Sequence, residues 1–349
     1  MAEAKSFSHV VVIGSSAGGI DALSNLLMTI PADFGAPIVI AQHLDPTRPS
    51  HLRDILSRRS ALPVRTVTDH APLEAGVVYV VPANRHVRIT DSELVMRIDG
   101  MDSPKPSVNL LLTTAASAFG DQLIAVILSG TGSDGAAGAR VVKQAGGTVI
   151  IQNPDTAAYP GMPLALAPTT VDIVADLDRI GPILQDLLAG IEVSDHPDKK
   201  KLLQTFLTNI RERQGLDFSS YKMPTILRRL QRRIVATDSD TLQGYVQYVQ
   251  RHPEEYQQLI NSFLIKVTEF FRDPDLYNVL RESILPQLIE HARRHGNQLR
   301  IWSAGCATGE EAYSLAILIC EALGGALEHF NVRIFATDAD LDAITFARR

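Results

Sequence analysis

HVVVIGSSAGGIDALSNLLMTI (9–30) decides how the first half of the chain is read. HVVVIG (9–14) is a continuous β-branched run, the pattern of a strand covered on both faces. IDALSNLLMTI (20–30) spaces its leucines at helical intervals. Between them lies a turn of small residues, Gly14-Ser15-Ser16-Ala17-Gly18-Gly19. The same strand-then-helix rhythm recurs outward from this unit. APIVIAQH (36–43), GVVYVVPA (76–83), QLIAVILSG (122–130) and GTVIIQ (147–152) read as further buried strands. Residues 1–190 are therefore predicted to form an α/β domain with a doubly wound parallel sheet.

Beyond it, IEVSDHPDKK (191–200) is polar and proline-containing and reads as a linker. Residues 201–292 hold amphipathic helical stretches and almost no strand pattern, which predicts a small all-α domain. DSDT (238–241) and Pro253 read as helix starts. A second α/β pattern opens with QLRIWSAG (298–305), continues in a helix and reaches NVRIFATD (331–338). Residues 293–349 are predicted to be the start of a Rossmann-like domain. One β-α-β unit cannot bury a sheet on both faces, so this last domain is expected to be incomplete.

The composition excludes several classes. At roughly 150 residues per domain, 349 residues suggest two or three domains. A hydrophobic share of 45% with 21% charged residues argues against extended disorder. A net charge of −6 does not suit a basic nucleic-acid glove. Cys306 and Cys320 are too few for a disulfide framework and lack metal-ligand spacing, so no metal is expected. No apolar run reaches the roughly 18 residues of a membrane span, and MAEAKSFSHVVVIG has no cleavable apolar core. The expectation is a cytoplasmic protein with no membrane insertion.

The first constellation of chemistry sits at strand ends. Gly14–Gly18 is a G-x-S-x-G turn between strand and helix, which would expose the Ser16 hydroxyl beside unpaired helix N–H groups. Such turns also cradle phosphates, and the turn alone does not choose. His43 ends the next strand, in IAQHLDP. An isolated histidine there is more often a satisfied packing residue, but an imidazole suits a general base near neutral pH. Asp134 follows strand QLIAVILSG in a glycine turn, where aspartate is usually a turn-former. A parallel sheet carries all three positions to one edge. Serine, base and orienting acid at three strand ends are far more specific than any one of them.

Residues 9–190 resemble the catalytic domain of the chemotaxis protein-glutamate methylesterases, the CheB type. The resemblance is carried by IGSSAGG (13–19), AQHLDP (41–46), VYVVPANRH (78–86), PSVNLLL (106–112), LSGTGSDGAAG (128–138) and AAYPGMP (157–163). It implies hydrolysis of glutamyl methyl esters on chemoreceptor helices without a cofactor, and often glutamine deamidation. Ser16 matches the family nucleophile, His43 the base and Asp134 the orienting acid. Thr131 stands where the family often has methionine, and Asn109 where aspartate is usual. The family usually carries a receiver domain before the esterase. Ser16 lies so near the start that none is expected in cis here.

The second constellation is Gly305-Cys306-Ala307-Thr308-Gly309, between strand and helix. Its glycines would let a ligand approach the backbone. Glu310 and Glu311 at the helix start would repel a pyrophosphate and favour a cationic ligand. Asp338, at the end of the next strand, can accept from ribose hydroxyls. S-adenosylmethionine has ribose hydroxyls, an amine and a sulfonium, and no phosphate. Residues 201–349 resemble the CheR-type receptor methyltransferases, through DFSSYKMPTILRRLQRRI (217–234), LIKVTEFFRDP (264–274), IWSAGCATGEEAYSLA (301–316) and FATDAD (335–340). The resemblance implies S-adenosylmethionine binding, with Thr268, Arg272, Glu311 and Asp338 at the cofactor and Gly305 in the turn beside it. Lys266 replaces the usual asparagine, so no contact is carried over there.

Residues 201–250 hold eight Lys/Arg against four Asp/Glu, with Arg228, Arg229, Arg232 and Arg233 on one helix. This is either a solvated basic face or a docking face for the acidic methylation helices of a chemoreceptor, and the resemblance favours docking. No aromatic residues interleave with the arginines, which argues against nucleic acid. The rival to an esterase–methyltransferase fusion is a non-catalytic signalling scaffold whose α/β domains bind ligands or partners.

Overall fold

The structure is a computed structural model that describes residues 7–45, 47, 50–83, 85–97, 106–190, 197–214, 218, 222–263 and 268–348. The chain forms two compact units: Met1–Leu166 with Thr170–Ile265, and Ala167–Thr169 with Lys266–Arg349.

The first unit carries strands β1 (Val10–Ser15), β2 (Ile38–Gln42), β3 (Val64–Thr66), β4 (His70–Pro72), β5 (Val78–Val80), β6 (His86–Ile89), β7 (Glu93–Arg97), β8 (Leu123–Ile127), β9 (Thr148–Gln152) and β10 (Ile173–Ala175). Its helices are α1 (Gly19–Met28), α2 (Leu52–Ser57), α3 (Val108–Phe119), α4 (Ala136–Gln144), α5 (Gly161–Leu164), α6 (Leu177–Ala189), α7 (Pro197–Gln214), α8 (Met223–Ala236), α9 (Leu242–Arg251) and α10 (Glu255–Phe263).

Seven strands form one sheet in the order β10-β9-β8-β1-β2-β5-β3, and every pairing is parallel. The continuous apolar runs follow from burial on both faces. Val11, Ile13, Ile38, Ile40, Ile124 and Val126 point to the side of α1 and α6. Val10, Val12, Val39, Ala41, Leu123 and Ala125 point to the side of α3 and α4. Successive residues thus alternate between two cores. The chain runs outward from β1 through β2 and then returns to β8 on its other flank. That reversal is the topological switch point of an open α/β sheet, where ligands bind at the strand C-termini. β4, β7 and β6 form a small antiparallel sheet that the apolar pattern does not announce.

The helical region is fastened to this sheet domain. Residues 191–196 of the expected linker lie outside the described residues, and α7 already begins at Pro197. Ile226, Leu230 and Ile234 of α8 join the helical core, while Val235 packs into the core on the α1 side of the sheet. The arginine stripe of α8 corrects the expectation of a free docking face, because each of its members has a partner within this unit. Arg232 is only 4% exposed. It pairs with Asp172 at 3.1 Å and donates to Thr148 Oγ1 at 3.0 Å and to the carbonyls of Gly146 and Gly147. Arg228 pairs with Asp121, and Arg229 donates to the Phe263 carbonyl. Arg233 makes two 2.8 Å bonds to Glu255, which also accepts from Tyr245 Oη at 2.8 Å.

The second unit contains α11 (Pro274–Val279), α12 (Leu285–Arg294), β11 (Gln298–Ala304), α13 (Glu310–Leu323), β12 (Asn331–Thr337) and α14 (Leu341–Ala347). Its helices α11 and α12 precede residue 293, where the cofactor domain was expected to start. The reason is packing: Tyr277, Leu285 and Ile289 share a core with Leu299, Leu318 and Ile319. β11 and β12 pair in parallel, as a β-α-β unit requires.

Candidate active site and cofactor turn

β1 ends at Ser15, and α1 begins at Gly19 after Gly18 turns through φ +72°. The crossing is too tight for side chains: a Cβ on Gly19 would lie 2.0 Å from Gln42 Oε1. Ser16 is half-buried in this turn. Its N–H donates to the Ser129 carbonyl at the end of β8, 3.0 Å away. Its carbonyl accepts from the Gly19 amide at 2.9 Å and from Gln42 Nε2 at 2.7 Å. In the register Ser15 pairs with Gln42, and the His43 amide donates to the Ser15 carbonyl at 3.0 Å. Ser16 and His43 are therefore the next residues on neighbouring strands, whose spacing is about 5 Å.

His43 Nε2 lies 2.9 Å from Asp134 Oδ2, with side-chain exposures of 17% and 7%. The carboxylate is held from behind by the first turn of α3. Its oxygens accept from the Val108 amide at 2.8 Å and the Asn109 amide at 2.9 Å. Asn109 reciprocates: its Oδ1 accepts from the Gly135 and Gly138 amides at 3.0 and 2.7 Å, at the start of α4. The residue that departs from the resembled pattern is thus a helix cap beside Asp134. Burial alone would push the Asp134 carboxyl up, but the bonds from His43 and from the Asn109 and Val108 amides hold it below the ordinary 3.8.

Backbone amides of such a strand-to-helix turn can serve as oxyanion donors. The amides of Ser16 and Gly19 are already bonded, to Ser129 and Ser16. Among the described residues, this leaves the Ala17 and Gly18 amides as the turn's available donors. Sequence reasoning missed the polar residues that brace the site. Ser15 Oγ donates to Gln42 Oε1 at 2.7 Å, and the Ser129 amide donates to Gln152 Oε1 at 2.9 Å. Ser129 Oγ also bonds the Ala17 carbonyl and the Tyr159 amide. Ser15, Gln42, Ser129 and Gln152 each close an apolar run, a pattern that marks a strand end but does not announce a brace.

In the second unit, Gly305, Ala307 and Gly309 all have positive φ, at 76°, 46° and 96°. This kinked turn is tied to the end of β12. The Gly305 and Cys306 amides donate to the Thr337 carbonyl, and the Ala307 amide to Asp338 Oδ2 at 2.8 Å. Glu311 Oε1 accepts from Ser303 Oγ at 2.7 Å. Gly305, Glu311 and Asp338 thus gather around one turn. Thr268 and Arg272 lie in a segment anchored by the Phe271 amide to Ser314 Oγ of α13, at 3.0 Å. Lys266 lies outside the described residues. Burial, then the negative charge of Asp338 and the two glutamates, pushes the Cys306 thiol up. An electronegative, glycine-lined turn fits a ligand with a cationic centre and no phosphate.

Residues 11–184 match the family model for the CheB methylesterase. Residues 201–264 match that for the all-alpha domain of the CheR methyltransferase, and 266–349 that for its SAM binding domain. A putative protein-glutamate methylesterase/protein-glutamine glutaminase of Leptospira interrogans is 36% identical over 178 residues, 50% of this chain and 92% of that one. An uncharacterized 104.1 kDa protein of Rhodobacter capsulatus is 32% identical over 324 residues, 83% of this chain. That match is too long to fit within either half, and it covers 33% of the relative's own length. A methylesterase/glutaminase of Saccharophagus degradans is 37% identical over 180 residues, 49% of its length. The crystal structure of the Thermotoga maritima CheB methylesterase catalytic domain is 33% identical, with a TM-score of 0.49, covering 52% of this chain and 98% of that one. The chain belongs to the CheB methylesterase family. It carries the two CheR methyltransferase domains behind the esterase domain.

Proposed function

We propose that the first unit hydrolyses glutamyl methyl esters on the acidic methylation helices of a chemoreceptor or similar signalling protein. Ser16 is the nucleophile, His43 the general base and then acid, and Asp134 the group that orients it. The observation that carries this reading is the His43–Asp134 bond of 2.9 Å, formed where the register sets His43 beside Ser16. With Nε2 on the carboxylate, Nδ1 is the nitrogen that takes the Ser16 proton. Ser16 Oγ bonds to the ester carbonyl carbon, and the oxyanion accepts from the Ala17 and Gly18 amides. His43 returns its proton to the departing methoxide, releasing methanol. Water, deprotonated by His43, then attacks the glutamyl-enzyme ester and frees Ser16. Attack on a glutamine amide follows the same course with ammonia leaving, in line with the glutaminase half of the relatives' names.

The second unit is proposed to bind S-adenosylmethionine through Thr268, Arg272, Glu311, Asp338 and the turn at Gly305. When bound, this group supplies an activated methyl. Glu311 and Asp338 would contribute the negative charge that favours a sulfonium, and Asp338 would accept from the ribose hydroxyls. Protein-glutamate O-methyl transfer, the inverse of the first activity, is the proposed role of this half. The proposed modules are the esterase over 1–190, the helical module from 201 and the cofactor module after it, acting in the cytoplasm. No described helix is long and apolar enough to cross a membrane.

The decisive experiment is methanol release from methylated receptor fragments. Ser16→Ala should abolish it and leave the thermal transition in place. Undiminished release from a folded variant refutes the triad.

A further inference from the structure

Gln42 holds a position that no part of the triad explains. The residue is 2% exposed, and its pairing partner Ser15 is fully buried. The amide is satisfied on both sides: Oε1 accepts from Ser15 Oγ at 2.7 Å, and Nε2 donates to the carbonyls of Ser16 and of His43, each at 2.7 Å. One amide nitrogen thus bridges the backbones of the proposed nucleophile and the proposed base. Because Ser15 Oγ–H occupies the oxygen, the amide cannot flip without facing two carbonyls with a third acceptor.

We propose that Gln42 is a positioning residue that aims the oxyanion donor and fixes the Ser16–His43 separation. The reasoning is covalent geometry. The Ser16 carbonyl and the Ala17 N–H share one planar trans peptide and point in opposite directions. Drawing that carbonyl inward, onto Gln42 Nε2 and the Gly19 amide, turns the Ala17 N–H outward toward the place where the oxyanion forms. The second bond, to the His43 carbonyl, ties the base's backbone to the same nitrogen. Gly19 supports the arrangement, since a Cβ there would displace Gln42 Oε1.

This inference rests on the hydrolase reading of Ser16, His43 and Asp134. The test therefore compares the full chain with Gln42→Met, which keeps shape and removes every hydrogen bond, and with Ser15→Ala, which removes only the group that fixes the amide's orientation. The probes are a methylated receptor fragment for kcat and KM, and a fluorophosphonate whose reaction with Ser16 needs the oxyanion donors. Gln42→Met should lower kcat by about 10²–10³-fold, the usual effect of losing one oxyanion donor, with KM nearly unchanged. Labelling should slow in parallel, and Ser15→Ala should show a smaller loss of the same kind. The pH dependence of the residual activity should match wild type, because the His43–Asp134 pair is untouched. A folded Gln42→Met that keeps wild-type kcat and labelling rate overturns the proposal and leaves the triad standing. If Gln42→Met does not fold, Ser15→Ala decides: unchanged kcat overturns the proposal, and a kcat-specific loss supports it. A wild-type chain that neither labels nor releases methanol overturns this proposal and the hydrolase reading together.

Discussion

The two ends of the seven-stranded sheet do opposite things with charge. At the strand C-termini, the Asp134 carboxylate rests on two amides of the first turn of α3. At the strand N-termini, the Arg232 guanidinium rests on the Gly146 and Gly147 carbonyls just past α4. Gln231 beside it donates to the Asp186 and Leu187 carbonyls in the last turn of α6. The wiring of the fold explains the contrast. Each connecting helix runs back against the strands, so N–H-rich helix ends collect at one edge and carbonyl-rich ends at the other. The first edge stabilises negative charge, and an ester hydrolase needs that. The second accepts cations, and there the helical region is fastened. Fastening the basic face of α8 at this edge keeps those arginines off the edge that carries Ser16, His43 and Asp134.

The largest effect that tests this contrast is at Asp134. Asp134→Asn keeps the shape but loses the charge that orients and stabilises the imidazole, and kcat should fall on the order of 10⁴-fold, measured as methanol release. The same variant has a pH signature. The folded-state value of Asp134 lies below the ordinary 3.8 that it regains on unfolding, so the native state binds this proton more weakly. Its contribution to stability is complete above that value and is lost as pH falls through the lower folded value. The Tm gap between wild type and Asp134→Asn should therefore narrow below about pH 4. A gap that is constant with pH would mean that the native contacts of Asp134 do not favour its charged form.

At the opposite edge the cluster has one anion and two cations: Asp172 bonds both Lys143 and Arg232 and accepts from the Val149 amide at 2.9 Å. Burial would push the Asp172 carboxyl up, but the two cations hold it down. The arithmetic of charge makes the cluster lopsided. Asp172→Asn strands two buried cations side by side and should cost about 3–5 kcal/mol in denaturant unfolding. Arg232→Met leaves the Lys143–Asp172 pair balanced and mainly deprives carbonyls of a partner, costing about 1–3 kcal/mol. Equal losses would show that Arg232 contributes through charge and not through the carbonyl-rich helix ends.

Much of this was legible in the residues. HVVVIG, APIVIAQH and QLIAVILSG announce buried strands because both faces of the sheet are covered, and their ends carry Ser16, His43 and Asp134 to one rim. Gln42 was not legible, because a glutamine closing an apolar run gives no hint that it will bridge two carbonyls. The arginines of α8 misled for a related reason. A run such as RRLQRR states its charge but not what it meets, and only the packing brings Asp172, Asp121 and Glu255 to it. The small β4-β7-β6 sheet escaped because its strands are short and none is buried along its whole length.

The smallest effect sharpens the account of the anchoring edge. Arg228 also meets the sheet domain there, but its pair with Asp121 is 30% and 53% exposed. Water screens both charges, and holding two long side chains in one geometry costs entropy, so exposed pairs contribute between nothing and about 1 kcal/mol. Arg228→Gln should therefore shift unfolding by less than about 0.5 kcal/mol, and less still at high salt. Arg232→Met should keep most of its effect under the same conditions, since a buried pair is screened little. The two variants lie one helical turn apart on the same face of α8 and remove the same charge. If they destabilise equally, burial is not what distinguishes them, and the anchoring edge is a diffuse electrostatic contact instead of a fastening built on Arg232.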